Sequence, residues 1–515
     1  MKRKNLLLGI DAGSSSTKLG LFTTEGTLYK ESSFVTSISH PYNNQAEIDL
    51  NKLFEDLVKN IRILSEGVSD QIKGIGFSVA SPTVVLFDKN NEAVRPGIAY
   101  FDNRAVKEVE EFVERFGGPN MYFGRVGNNP SPSTCAAATV HWVRVHEPEV
   151  WDDVKKIGFL NSWFGVKFTG NLACDPTVSS YSGMLRVRKP YQWEKRFMDI
   201  YGISMDKLPP LISCLERLGT LKKDVAEAMG LPEGIPVSIG AADTAASSFA
   251  MGVRRHGDVF QSMGTSEVAV FCLNNPNFSP AFMNRAHVIP NLWLSNGAMS
   301  MAGGSIKWFM SHIAPELKNE AEMEELAMKS KRGANGVIFL PYLCGERSPI
   351  FDAEAMGLFF GITSNTTKAD LARAVYEGIA LAMGQIYRIG VSRWEAKPPY
   401  IICIGGATKS KLSLRLRAAI ENRPIRTVDI SNASSFGAAL MGGFAAGIYS
   451  DIWDFPVVEN YEETIYPDPE DVMFYLKYRN IYNSLYSPLK ETMHQLYDYT
   501  NGITSEYKEA EILWK

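Results

Sequence analysis

Several common signals are missing from this chain, and each absence closes off a class. The six cysteines (Cys135, Cys174, Cys214, Cys272, Cys344 and Cys403) are scattered, with no C-x-x-C pair. That spacing argues against a zinc site, and a chain of 515 residues does not need disulfides to fold. No stretch reaches the roughly eighteen uninterrupted apolar residues of a membrane span, so no membrane partner is expected. The basic start, Met1 to Lys4, is followed by an apolar piece, Leu6 to Ile10, that is too short for a secretion-signal core and ends at Asp11. There is no basic excess either. Lys plus Arg is 53 against 57 Asp plus Glu, a formal net charge of −4, so no nucleic-acid partner is expected. The G-x-x-x-x-G-K-[ST] loop and the G-x-G-x-x-G fingerprint of nucleotide-binding proteins are both absent. What remains is ordinary globular composition, 45% hydrophobic and 21% charged. At about 150 residues per domain the length suits roughly three domains, or two large α/β ones. A cytoplasmic, multi-domain α/β enzyme is the expectation.

Short apolar runs bounded by turn residues read as buried strands. Leu6 to Phe22 contains two such runs around Gly13-Ser14-Ser15-Ser16, which predicts a β-hairpin. The layout returns near residue 260, where Val259-Phe260 and Val268 to Phe271 flank Gly264-Thr265-Ser266. One unit used at the start of two domains would explain the recurrence. Gly74 to Asp88 reads as another strand pair, and a junction is expected near Gly252 to Gly257. From Leu371, apolar or small residues recur at 374, 375, 378, 379, 382, 383 and 386, one helix face, and Thr367 with Asp370 resembles its capping box. Tyr400 to Ile404 reads as a strand, Gly405-Gly406 as a turn and the following residues as a helix. Such alternation predicts α/β architecture. Beyond about Tyr449 the chain is acidic and aromatic, with helical pieces around Val472 to Leu496 and no evident chemistry.

Three places in this layout can carry chemistry. In Asp11-Ala12-Gly13-Ser14-Ser15-Ser16-Thr17-Lys18, backbone N–H groups and hydroxyls could cradle phosphate oxygens, with Lys18 adding charge and Asp11 holding a hydrated Mg²⁺. The plainer alternative is a Ser-rich turn beside a surface lysine. Asp243 lies between Gly240-Ala241-Ala242 and Thr244-Ala245-Ala246, where it could accept a proton from an attacking hydroxyl or simply cap a helix. Gly405-Gly406-Ala407 would let a nucleobase or ribose lie against the backbone, or would only make a sharp strand-to-helix turn. Ser410 falls at that helix start.

In this order, from Leu6 to about Gly447, the segments resemble the FGGY family of carbohydrate kinases. The most specific stretch is Gly357 to Glu377, GLFFGITSNTTKADLARAVYE, which fits the family's C-terminal signature throughout. Pro341 to Pro349, Gly405-Gly406-Ala407 and Phe436 to Leu440 support it, with wording closest to the xylulokinase and gluconokinase branches. The resemblance implies two ribonuclease-H-like domains of the actin and hexokinase type flanking a catalytic cleft. Residues 1–252 would take the sugar and phosphate side, and 257–515 the nucleotide side, with a helical tail from about 450. It implies transfer of the γ-phosphoryl group of ATP, with Mg²⁺, to a sugar hydroxyl.

Carried over by position, Asp243 matches the catalytic base and, with Asp11, the metal site. Gly13, Ser14, Ser15 and Lys18 match one phosphate loop, and Gly264 and Thr265 the other. Gly303 and Lys307 match positions flanking the nucleotide, and Gly405, Gly406 and Ser410 the adenosine contacts. Ser81, Pro82, Asp102, Arg104, Asp243 and Thr244 fall on the sugar side, although Asp102 and Arg104 also read as a surface ion pair. Ser81-Pro82-Thr83 replaces the xylulokinase Met-His-Gly, and Thr139 stands where the family signature has lysine. A pentulose such as xylulose is the leading acceptor; a sugar acid or polyol such as gluconate, glycerol or an erythritol-like compound is the alternative. An actin- or heat-shock-type ATPase and a non-catalytic sugar sensor are the readings from other classes. The resemblance is also consistent with a homodimer.

Overall fold

A computed structural model describes residues 4–428, 430, 432–458 and 461–501. The chain folds into two compact units. The first takes Met1–His256, Cys272–Ser295 and Ile430–Glu459; the second takes Gly257–Phe271, Asn296–Asp429 and Asn460–Lys515.

In the first unit Leu6–Ala12 and Ser16–Thr23 form the predicted hairpin, closed by Gly13 N donating to Ser16 O at 3.2 Å. Leu6, Leu7, Leu8 and Ile10 are all solvent-inaccessible, as a central strand covered on both faces requires. The strand order is Arg217–Thr220, Pro236–Ser238, Ile72–Val79, Leu6–Ala12, Ser16–Thr23, Leu28–Val35. Gly74 to Asp88 does not make one strand pair. Ile72–Val79 lies in this sheet, whereas Val84–Phe87 joins a separate five-stranded sheet and pairs there with Gly97–Ile98 and Lys156–Phe159. The Ser81-Pro82 turn between them redirects the chain.

One face of the main sheet is covered by Ala433–Ala445, a helix of small residues. The approach is close enough to exclude side chains. A Cβ on Gly9 would sit 1.8 Å from Ser435 O, and one on Gly76 2.0 Å from Ala438 O.

The second unit repeats the opening motif. Val259–Met263 and Glu267–Leu273 pair antiparallel, and Gly264 N donates to Ser266 O at 3.1 Å. Just as Leu6–Ala12 takes Ile72–Val79 as a parallel partner, Val259–Met263 takes Ile401–Ile404, followed by Ile425–Thr427 and Glu463–Ile465. The predicted capping box is present: Thr367 accepts from Asp370 N and Asp370 accepts from Thr367 N, starting the helix Lys368–Trp394. Ser330, Asn335 and Thr367 all donate to the Asp370 carboxyl and hold it down at about 2. The C-terminal helical pieces are one helix, Pro469–Thr500. Among the described residues no helix is long and apolar enough to cross a membrane.

Candidate active site

The first cluster forms where three strands of the first unit end together. Asp11 and Ser78 are parallel register partners, and Ser78 is also the partner of Ala241. This puts Asp11, Ser78 and the start of the helix Asp243–Ala250 at the carboxyl edge of one sheet. In open α/β sheets ligands bind outside that edge. Ser78 Oγ donates to Asp11 Oδ1 at 2.7 Å. Burial pushes the Asp11 carboxyl up to about 7, and the nearby Asp243 carboxylate adds to the rise, while Ser78 and Lys18 pull it down.

Asp243 is the first residue of its helix; Ala242 is the N-cap, so the capping alternative is not realised. Its Oδ1 accepts from Thr244 N at 2.6 Å and Thr244 Oγ1 at 3.2 Å. No described residue donates to Oδ2. The preceding Gly240, at φ +79°, presses on the backbone of Phe77, where a Cβ would meet the carbonyl oxygen at 2.2 Å. The small residues here therefore serve strand packing. Ala242 N donates to Thr177 Oγ1 at 2.8 Å, and Asp175 accepts from Thr177 N at 2.7 Å and Val178 N at 3.1 Å. This buried Asp175 network fixes the Ala241–Ala242 peptide, one residue ahead of Asp243. Asp175-Pro176 is a helix-start signature that marks it in the sequence.

Gly13, Ser14 and Ser15 form the turn of the first hairpin, with Ser15 exposed and Lys18 opposite Asp11. Thr36 Oγ1 donates to Gly13 O at 2.9 Å and braces the turn.

In the second unit Gly264, Thr265, Gly303, Lys307, Gly406 and Ser410 line one cavity of about 950 Å³. Gly405 supports it from behind: its φ is +105°, and a Cβ there would meet Met263 O at 2.5 Å. Gly406 faces open space. Gly303 begins the helix Gly303–His312, and its N donates to Gly264 O at 3.0 Å, tying that helix to the hairpin turn. Ser410 caps Lys411–Glu421 by accepting from Ser413 N at 3.1 Å.

Asp102 and Arg104 are a buried pair, not a surface one. Arg104 Nη2 lies 2.8 Å from Asp102 Oδ2 and 2.7 Å from Glu47 Oε1, and its guanidinium lies over Trp142 at 4.9 Å. Asp102 Oδ2 also accepts from Ala46 N at 2.6 Å. Ser81 is buried, joined to Pro82 by a cis peptide. Beside it lies a residue that sequence reading passed over. Arg285 is 3% exposed, and its Nη1 is 3.5 Å from Ser81 Oγ. A single arginine inside the strand-like FMNRAHVI run was the available signal.

The descriptions "FGGY family of carbohydrate kinases, N-terminal domain" and "C-terminal domain" match residues 6–250 and 259–446. A xylulose kinase of Staphylococcus epidermidis is 30% identical over 97% of this chain and 100% of its own. A gluconokinase of Bacillus licheniformis is 24% identical over 97% of this chain and 99% of its own. The crystal structure of xylulose kinase from Rhodospirillum rubrum, 26% identical, superposes with a TM-score of 0.88 over 95% of this chain and 100% of that one. The two-domain actin and hexokinase-like fold, with ATP as phosphoryl donor and a sugar as acceptor, is therefore that of an enzyme, and the chain belongs to the FGGY family of carbohydrate kinases.

Proposed function

We propose that Asp243 is the base in transfer of the γ-phosphoryl group of ATP to an acceptor hydroxyl. In the first unit, residues 1–252 together with Cys272–Ser295 would hold the acceptor, and the second unit would hold the nucleotide. The observation that carries this reading is the asymmetry of the Asp243 carboxylate. Thr244 holds Oδ1, leaving Oδ2 to accept from a hydroxyl beside Asp11. Phosphoryl transfer runs through a loose transition state, so positioning and charge neutralisation outweigh base strength. A free Asp, with a pKa of about 3.9, suffices because the hydroxyl proton leaves late. The hydroxyl would donate to Oδ2, attack phosphorus in line, and pass its proton to Asp243 as the P–O bond to ADP breaks.

Asp11 and Asp243, two carboxylates brought to one sheet edge, are a donor set that would hold a hard divalent cation such as Mg²⁺. Such an ion supplies charge neutralisation at the phosphates. The Gly13–Ser15 turn and Lys18 would receive phosphate oxygens, as would Gly264 and Thr265. Gly405, Gly406 and Ser410 would flank adenosine, with Gly303 and Lys307 nearer the phosphates. On the acceptor side stand Ser81, Pro82 and Thr244. The internal pairing of Asp102 and Arg104 makes them supports for that wall rather than direct contacts. The named relatives act on a neutral ketose, xylulose, and on gluconate, so both acceptor classes belong in the first screen.

Asp243→Asn keeps an oxygen for Thr244 and removes the base. We expect kcat to fall at least a thousandfold while ATP still raises the melting temperature as in the wild type. Turnover within tenfold of wild type, about 1.4 kcal/mol of barrier, would rule Asp243 out as the base.

A further inference from the structure

We infer that Arg285 anchors a carboxylate on the acceptor, so that the sugar this enzyme phosphorylates is a sugar acid. The inference rests on the acceptor binding beside Asp243, and among the acceptor classes above it selects one.

Three arginines are buried among the described residues: Arg104, Arg285 and Arg417. Arg104 touches Asp102 and Glu47, and Arg417 touches Glu267 and Glu421. Arg285 has no carboxylate within ion-pair distance among the described residues. Its guanidinium rests on the Tyr181 ring at 4.1 Å, Nη1 reaches Ser81 Oγ only at 3.5 Å, and Nε has no hydrogen-bond partner. A guanidinium stays charged at any working pH, so burial without a counter-charge is costly unless a ligand brings one. The Tyr181 hydroxyl is also buried without a partner. The guanidinium edge and the Ser81 hydroxyl it barely reaches thus have hydrogen-bonding capacity to spare, as does the hydroxyl of the tyrosine on whose ring the guanidinium rests. One positive charge with two neutral hydroxyls matches the single charge of a carboxylate better than a phosphate dianion.

The position agrees with the chemistry. Ser81 lies two residues beyond Val79, the register partner of Ala242, so it shares the sheet edge with Asp243. The segment carrying Tyr181 bridges the two places. Its Thr177 accepts from Ala242 N at 2.8 Å, and its Ser180 Oγ accepts from Ala286 N, next to Arg285, at 2.9 Å.

The test is ADP release with acceptors matched except at one end: D-gluconate against D-glucitol, D-xylonate against xylitol, and D-xylulose as the neutral ketose. We expect an aldonate to exceed its alditol and xylulose at least a hundredfold in kcat/KM. Arg285→Met should erase that margin mainly through KM, while values for neutral acceptors stay within threefold. Arg285→Lys should restore at least a tenth of it. Preference for xylulose or an alditol would overturn the inference while leaving the kinase reading intact, as would equal losses on charged and neutral acceptors in Arg285→Met. Should no acceptor release ADP, the kinase reading fails, and aldonate-induced thermal stabilisation decides the inference separately. Stabilisation of wild type but not of Arg285→Met upholds it; stabilisation of neither overturns it. Circular dichroism and ATP-induced stabilisation verify folding, with Arg285→Gln as the substitute if the methionine variant does not fold.

Discussion

Asp11 sits in surroundings that disfavour its charge. Its carboxyl is pushed from the ordinary value of 3.8 up to about 7, chiefly by burial. A carboxyl raised in the folded state contributes most to stability below its unfolded pKa, and that contribution is lost as pH rises to the folded value. Asp11→Asn keeps the acceptor for Ser78 and removes the charge. In urea unfolding without divalent metal, its stability advantage over wild type should therefore grow from about pH 4 to about pH 7 and level off above. That growth should amount to a few kcal/mol. A pH-independent difference would show that Asp11 is not destabilised by its charge. Asp11 and Asp243 were legible in the sequence because each sits in a local run, a strand end or a small-residue turn, that announces itself. Arg285 was not. Its distinction is a partner it lacks, and only the folded neighbourhood reveals a missing partner.

At the scale of elements, the helix Ala433–Ala445 is held by contacts that leave no room for a methyl group. A Cβ on Gly437 would lie 2.0 Å from Ala246 O, in the helix that begins with Asp243. Gly→Ala in an exposed helix ordinarily stabilises by up to about 1 kcal/mol. Here Gly437→Ala should instead destabilise by about 1–3 kcal/mol, the usual range for overpacking. Gly124, exposed in Pro119–Val126 with nothing within 4 Å of a Cβ, is the control, and its alanine variant should gain stability. Chemical denaturation reads both, and the same sign at both sites would refute the packing account. The two hairpins, the capped helix Lys368–Trp394 and the strand at Ile401–Ile404 were readable from periodicity and turn residues. The fate of Gly74 to Asp88 was not, because two adjacent strands joined by a short turn look alike whether they pair or part. Which sheet each joins is decided by partners far away in sequence.

For the whole molecule, the small net charge of −4 becomes a statement about recognition. The cavity beside Lys307 is also lined by Lys318 and Lys409, but Glu320 and Glu324 line it too. Binding a polyphosphate there would depend on short-range contacts more than on a basic field. The KM for ATP should accordingly rise less than about threefold between 50 and 200 mM KCl at fixed free Mg²⁺. A tenfold rise would point to a long-range electrostatic component.

The seating of Ala433–Ala445 on the first strands also bears on how the protein is born. Leu6–Ala12 leaves the ribosome about 420 residues before the helix that covers it, and at roughly 5–20 residues per second that interval is tens of seconds. Through that time the nascent first sheet has a bare apolar face. The first sheet can therefore be completed only when residues 433–445 arrive, in about the last sixth of the sequence.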